Sequence, residues 1–310
     1  MEEKIGKVTL DLTWYPGEDL YSDGAEEEQE LLEIAENYTE EELNRVIAQR
    51  KSWPVLYHFS HIRQNIVQWL PITKSHKVLE IGSGCGAVTG ALARLAGDVT
   101  CIELSKMRST INANRNRDCE NLRILVGNFQ EIEEHLEATY DYITLIGVFE
   151  YAEGYIGTRE PYQEMLRRVS RHLAPGGVLV LAIENRLGLK YWAGCTEDHT
   201  GLFFEGLENY AKTSGIHTFS RGELLKLLEK TGDFSVEFYY PYPDYKFPMT
   251  IYSDSYLPKK GELNGNFCNY DRPRAQFFDE ARVYDSLAES GMFRELSNSF
   301  LVLAKKEAAK

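Results

Sequence analysis

The chain has 310 residues, a mass of 35.5 kDa and a formal net charge of −14 at pH 7. Its 43% hydrophobic and 26% charged content is that of a globular protein able to bury a large core in one or two domains. A phosphate-tracking surface needs clustered Lys and Arg, so the acidic balance argues against nucleic acid as a partner, and no apolar run reaches the length of a membrane span.

In chain order, residues 6–15 (GKVTLDLTWY) alternate enough to read as a strand at a sheet edge. Glu26 to Glu42 is strongly acidic, yet Leu31, Leu32, Ile34 and Ala35 give it an apolar stripe, as in a helix with one solvated face. Thr39 and Glu42 have the spacing of a capping box that restarts the helix. Trp53-Pro54 interrupts it. From Val55 to Leu70, apolar residues recur at Leu56, Phe59, Ile62, Ile66 and Leu70, the spacing of one more amphipathic helix. His58 and His61 lie on it at i,i+3, but no Cys pair or second cluster accompanies them, and no metal is expected.

The stretch Lys77–Ser105, KVLEIGSGCGAVTGALARLAGDVTCIELS, is the one around which the chain is organised. Val78, Leu79 and Ile81 form an apolar run too short for a helix, the mark of a buried parallel strand. Gly82, Gly84 and Gly86 come next at alternate positions, then Ala87, Val88, Ala91, Leu92 and Leu95 at helical spacing, then a strand from Asp98 to Leu104 that carries an acid, Glu103. Strand, glycine turn, helix, strand and acid make up a nucleotide-binding half of a doubly wound sheet. Glycines admit positive φ and let a ligand lie on the backbone, and an acid 21 residues after Gly82 suits a ribose diol. The spacing is G-x-G-x-G with Glu80 two residues upstream, not the G-x-G-x-x-G of dinucleotide sites, which disfavours an NAD-dependent oxidoreductase.

Here the chain resembles the class I S-adenosylmethionine-dependent methyltransferases, whose first motif, E/D-x-G-x-G-x-G, is matched one for one by Glu80, Gly82, Gly84 and Gly86. The resemblance implies an α/β fold: a doubly wound, mostly parallel seven-stranded Rossmann-like sheet, with a helical N-terminal extension and long insertions after strands 5 and 6. It implies S-adenosylmethionine as cofactor, with Glu103 and its neighbour Leu104 at the ribose. In the family the helix before the first core strand covers the cofactor, which makes Arg63 the candidate for the methionine carboxylate. A third strand, 122–127, leads into Gly127-Asn128-Phe129, where Asn128 would accept from the adenine amino group and Phe129 would form an apolar wall. The fourth strand, 140–146, leads into Gly147-Val148-Phe149-Glu150-Tyr151, the segment that passes under the methyl donor, with Ile146 and Gly147 at the cofactor. It is not N-P-P-Y, so amino-methylation of adenine or glutamine loses support. A helix from Arg159 to His172, a turn at Leu173–Gly177 and a fifth strand, Val178 to Ile183, complete the resemblance, which covers roughly residues 55–185 and returns at the last strand.

The remainder departs from a minimal methyltransferase. Segment 184–215 is rich in Gly, aromatics and charge; a helix capped by Ser220, with Glu223 three residues on, runs to Thr231, then a strand from Phe234 to Tyr240. A second excursion runs from 241 to about 294, and Ser297–Ala304 closes as the last strand, antiparallel in the family. Tyr239, Tyr240, Tyr242, Tyr245, Phe247, Tyr252 and Tyr256 crowd the region where the second excursion starts, so the insertions are too aromatic for disorder, and both read as a substrate cap, with a packing subdomain as the plainer alternative. The domains expected are 1–70 (extension and cofactor-covering helices), 71–183 (cofactor-binding core) and 184–310 (the rest of the fold, with cap insertions 184–215 and 241–294).

Methyl transfer is an in-line displacement at a sulfonium carbon, and the enzyme often removes one proton from the acceptor. His199 in EDHTG is the first candidate base, since imidazole titrates near neutrality; Glu150 and Glu184 come second, then Asp198, Asn185 and His217. The acceptor expected is a small molecule, sugar or peptide. An RNA or protein methyltransferase and a non-catalytic S-adenosylmethionine-binding protein are the alternatives. The segments ENRLGLKYWAG and YPYPDYKFP look similar to bacterial methyltransferases encoded among glycan-assembly genes. Five cysteines, at 85, 101, 119, 195 and 268, form no Cys-x-x-Cys pair, and with an acidic start (Glu2, Glu3) unlike a secretion signal they point to reduced thiols and a cytoplasmic address.

Overall fold

A two-residue reversal at Gly6-Lys7 sets the beginning of the fold. Gly6 takes φ +58°, which suits the first central position of a tight hairpin turn, and Ile5 pairs with Val8 across it. Strands β1 (Glu2–Ile5) and β2 (Val8–Trp14) are therefore antiparallel neighbours, and β2 pairs in parallel on its other side with β5 (Leu122–Gly127). The strand expected over 6–15 is β2, but it lies inside the sheet rather than at its edge, because β1 pairs on its outer side. The computed structural model describes residues 1–19, 22, 24–232, 234–265, 272 and 274–307. It divides the chain into two units, Met1–Leu145 with Arg171–Val178, and Ile146–Ser170 with the chain from Leu179 on.

In the first unit the strand order is β1-β2-β5-β4-β3-β6, with β3 at Lys77–Ile81, β4 at Asp98–Glu103 and β6 at Tyr140–Ile146. Every pairing in that set except β1/β2 is parallel. Helices α1 (Ala25–Asn37), α2 (Leu43–Arg50) and α3 (Trp53–Phe59) precede the core strands, and α4 (Thr89–Leu95), α5 (Lys106–Arg115) and α6 (Phe129–Glu133) alternate with them. The helix expected from Val55 to Leu70 breaks at Ser60, which is extended (ψ 125°) and whose hydroxyl accepts from the Ile62 amide; a 3-10 turn, His61–Ile66, comes after it. Leu31, Ile34, Ala35, Leu43, Val46, Val55, Phe59, Cys85 and Ile111 form one buried cluster, so the N-terminal helices share a core with the glycine turn and α5. Residues 1–70 lie within the first unit.

In the second unit, α7 (Ala152–Tyr155) and α8 (Pro161–Arg171) come after β6. Strand β7 runs unbroken from Leu173 to Glu184, entering from the first unit, and the expected Pro-Gly-Gly turn lies within it, with Gly176 at φ +77°. After α9 (Leu189–Trp192) comes α10 (Arg221–Thr231), whose Ser220–Glu223 capping box forms as the spacing predicts. Strands β8 (Phe234–Tyr242), β9 (Thr250–Ser253) and β10 (Ser299–Lys306) give the order β7-β10-β8-β9, with β8 antiparallel to both β10 and β9. The excursion expected over 241–294 contains β9, α11 (Glu280–Glu289) and α12 (Phe293–Leu296). With β1, β2 and β9 the strands exceed the seven expected. Cys268 and part of the second cap lie outside the described residues.

Leu31 is fully buried in the cluster that includes Cys85 of the glycine turn. Leu31→Ala is expected to cost about 2–5 kcal/mol, read as a fall in the urea unfolding midpoint. An unchanged midpoint would mean that the N-terminal helices do not stabilise this core.

Candidate active site

The glycine turn joins β3 to α4, and its three glycines all take positive φ: +71°, +52° and +79° at Gly82, Gly84 and Gly86. A Cβ on Gly84 would meet nothing within 4 Å, so the turn leaves space there for a ligand to approach the backbone. At Gly86 a Cβ would lie 2.4 Å from Asn112 Oδ1, so this residue is required for packing against α5 rather than for ligand access. Glu103 ties the turn from the end of β4: the Gly84 amide donates to its Oε2 at 2.7 Å and the Ser105 amide to its Oε1 at 3.0 Å. Burial raises its carboxyl pKa. Glu80 is buried beneath the turn, accepting from Thr89 Oγ1 at 2.7 Å and Cys101 Sγ at 3.3 Å, and burial pushes its pKa up to about 7.

Arg63 is buried, its guanidinium 4.2 Å from the centre of the Tyr57 ring, and its Nε and Nη1 have no hydrogen-bond partner among the described residues. Buried donors of a charged group rarely remain unpaired, and a bound carboxylate would pair them. Asn128 caps α6, accepting from the Gln130 amide at 2.9 Å, so the side-chain oxygen expected at adenine already holds a helix end. Phe129 is buried in the core and Leu104 is half-buried. No hydrogen bond among the described residues joins Arg63 or Asn128 to the glycine turn.

Ile146 and Gly147 belong to the second unit. A Cβ on Gly147, at φ +66°, would lie 2.7 Å from the Tyr245 hydroxyl, which donates to Glu184 Oε1 at 3.3 Å. Glu184 ends β7; Glu150 lies in the 3-10 turn Phe149–Tyr151 just beyond β6. His199 Nε2 is 3.6 Å from Glu150 Oε1 and 3.9 Å from Glu184 Oε2, so the three candidate residues converge although they come from three separate segments. On its other side, His199 Nδ1 meets Glu197 Oε1 at 2.9 Å. Glu197 is itself fixed by the amides of His199 and Thr200 and by the Tyr210 hydroxyl. Burial opposes ionisation of Glu197, but the bond and charge of His199 prevail and bring its pKa down to about 2.

Lysines complete the cluster. Lys246 Nζ bonds Glu184 Oε1 and, at 2.7 Å, Asp198 Oδ2; Lys190 Nζ bonds Asp198 and Asp244, both at 2.8 Å. Burial works against charge on Asp198, but the two lysines outweigh it and hold the carboxyl well below the usual range, so Asp198 is an anchor and not a base. Burial alone would lower the His199 pKa, but Glu184, Glu150 and Glu197 raise it well above the ordinary value, which overturns the expectation of an imidazole titrating near neutrality. Asn185 is structural, donating to the carbonyls of Glu295 and Ser297. His217 packs among Tyr162, Tyr210 and Phe219, where burial lowers its pKa. His61 is exposed and bonds Asn44, while His58 is buried. Glu197, Lys190, Lys246 and Tyr245 were not read from the sequence; the one signal was that Glu197 stands two residues before His199.

Comparison with known proteins bears on the first of these sites. Residues 79–179, from β3 into β7, match the family model of a methyltransferase domain. The ribosomal RNA small subunit methyltransferase A of Borrelia garinii subsp. bavariensis is 34% identical over 86 residues, which cover 27% of this chain and 31% of that protein. The chain thus matches about a third of the length of such curated relatives. Among solved structures, an S-adenosylmethionine-dependent methyltransferase from Archaeoglobus fulgidus gives a TM-score of 0.49 at 15% identity, covering 81% of this chain and 96% of that one. The phosphoethanolamine N-methyltransferase 1 of Haemonchus contortus, solved with phosphoethanolamine and S-adenosylhomocysteine, gives 0.48 at 14% identity, covering 92% and 50%. Scores this low carry no argument about function. The family match and the glycine turn define a methyltransferase domain with a Rossmann-like sheet. The chain carries a domain of the class I S-adenosylmethionine-dependent methyltransferases, and S-adenosylmethionine is the cofactor of that class.

Glu80 supplies a pH test of the turn. Its carboxyl pKa lies near 7 when folded, against an ordinary 4.5, so its contribution to stability is full below about pH 4.5 and is lost as pH rises towards 7. Glu80→Gln keeps an acceptor for Thr89 and does not titrate. Relative to the wild type it should gain up to about 3 kcal/mol between those limits, at about 1.4 kcal/mol per unit. Thermal unfolding of both proteins across that range measures the difference; a constant gap would show that Glu80 ionises in the folded protein as it does in water.

Proposed function

We propose that the protein transfers a methyl group from S-adenosylmethionine to a small-molecule, sugar or peptide acceptor, and that the cluster of Glu150, Glu184 and His199 binds and activates the acceptor's reacting group. The contact between Gly147 and Tyr245 carries this reading. Gly147 belongs to the segment that, in the family, passes under the methyl donor, and Tyr245 links it to Glu184 by one hydrogen bond. On the cofactor side, the open backbone at Gly84, the carboxylate of Glu103 and the unpaired donors of Arg63 fit an adenosine with an amino-acid tail. S-adenosylmethionine supplies an activated methyl group when bound; the residues of this chain hold and orient it.

A buried, acid-rich cluster offers hydrogen-bond acceptors to hydroxyl or amine donors, which suits a sugar or peptide better than a phosphate-bearing chain. An RNA acceptor is the second reading. It rests on the named activity of the curated relatives over about a quarter of the chain, and the net charge of −14 weighs against it. A cytoplasmic address belongs to the same proposal and rests on five cysteines that form no Cys-x-x-Cys pair. No helix among the described residues is long and apolar enough to cross a membrane.

Two measurements test the proposal. Arg63→Met should weaken S-adenosylmethionine binding by about tenfold or more in calorimetry, the loss of charge-assisted bonds worth about 1.5–3 kcal/mol, while thermal stability holds or rises because an unpaired buried charge is removed. Unchanged affinity would take Arg63 out of the cofactor site. On the acceptor side, Glu184→Gln and His199→Ala should each lower kcat by about 10²–10⁴-fold with cofactor affinity nearly unchanged. Near-normal turnover in both would place the chemistry elsewhere.

A further inference from the structure

We infer that Glu150, Glu184 and His199 form a binding site for one divalent transition cation, such as manganese or zinc, although the sequence pattern points to no metal. This rests on the same acceptor-side reading of the cluster, yet metal binding is measurable without any acceptor. One ligand atom from each residue lies within 4.8 Å of the other two. Ligands about 2.0–2.2 Å from a shared ion stand about 3.0–3.6 Å apart, so separations of 3.6 and 3.9 Å from His199 Nε2 need only a small inward movement.

The second observation is an unsatisfied one. Glu150 Oε2 and Glu184 Oε2 are buried with no hydrogen-bond partner among the described residues, on side chains 1% and 0% exposed. A buried carboxylate oxygen without donors is costly, and a cation removes the cost. Lys246 already engages Glu184 Oε1, leaving Oε2 as a single donor atom.

The third is orientation. A metal-bound imidazole usually gives its other ring N–H to a carboxylate, which fixes the tautomer. His199 has that arrangement: Nδ1 meets Glu197 at 2.9 Å, Glu197 is held by two amides and Tyr210, and Nε2 faces the two carboxylates. Two carboxylates and an imidazole favour manganese or zinc over calcium or magnesium, which prefer oxygen alone. Three protein ligands leave a position open for an acceptor oxygen, whose pKa a cation would lower.

The test uses the full-length protein, stripped with a chelator and titrated with Mn²⁺, the free ion being followed by electron paramagnetic resonance. One saturable equivalent is expected, displaced by Zn²⁺. Glu150→Gln, Glu184→Gln and His199→Ala should abolish binding, and Glu197→Gln should weaken it by about 10–100-fold. Circular dichroism and S-adenosylmethionine calorimetry identify variants that remain folded; should one ligand variant unfold, the other two and Glu197→Gln still decide. No saturable binding by the wild type overturns the inference, as does binding that folded ligand variants retain in full. Methyl transfer by a protein that shows no saturable metal binding would sink this inference and leave the proposed function; metal binding without transfer to any acceptor would do the reverse.

Discussion

Carboxylates leave water only where cations or N–H groups replace their hydration, and the loops of the second unit are shaped by that requirement. Asp198 sits between Lys190 and Lys246, Lys190 reaches on to Asp244, and Lys246 reaches on to Glu184. These few bonds tie together a short helix, the end of β7 and two loops that share no regular backbone pairing. Glu197 does the same locally by gathering the amides of its own loop. Replacing such a network by apolar side chains is often neutral or favourable for stability, so its value lies in fixing where each atom stands. His199 is held in one orientation by that scaffold.

The first unit solves a different problem with similar means. A turn with three glycines at positive φ would be loose if nothing held it. Glu103 anchors the Gly84 amide, Cys85 is packed into the apolar cluster of the N-terminal helices, and Gly86 lies close against α5. The turn is therefore rigid on the side facing the protein and open at Gly84. Preorganisation of this kind lowers the entropy lost when a ligand settles on the backbone.

Local features were legible in the sequence and distant ones were not. Strands at 78–81, 98–103, 122–127 and 140–146 show as apolar runs bounded by glycines or turns, because burial on both faces leaves little choice of residue. The Ser220–Glu223 cap shows because both partners lie within one turn of helix. The break at Ser60 does not, since apolar spacing continues through it and the backbone alone changes. Nor does the Pro-Gly-Gly segment inside β7, whose composition is that of a turn. Glu150, Glu184 and His199 could be ranked as candidates one at a time. Their convergence could not, because a buried charge and a solvated one are written with the same letter, and Lys246 stands far along the chain from the Glu184 it neutralises.

The place of β2 has a consequence for the order in which the chain folds. Thr9 stands opposite Arg123 and Leu10 opposite Ile124, so a strand made early by the ribosome pairs in parallel with one made much later. Val8 and Leu10 are fully buried in the finished protein, and an isolated two-stranded hairpin is marginal in water. Until β5 emerges, the first hairpin has an unpaired edge with no native strand to cover it, and loop closure over that span must come before the pairing is rewarded. The first unit also needs Arg171–Val178 to close. A nascent chain of this protein therefore depends on protection from aggregation until these later segments have emerged, and slower translation ahead of β5 would lengthen that exposure.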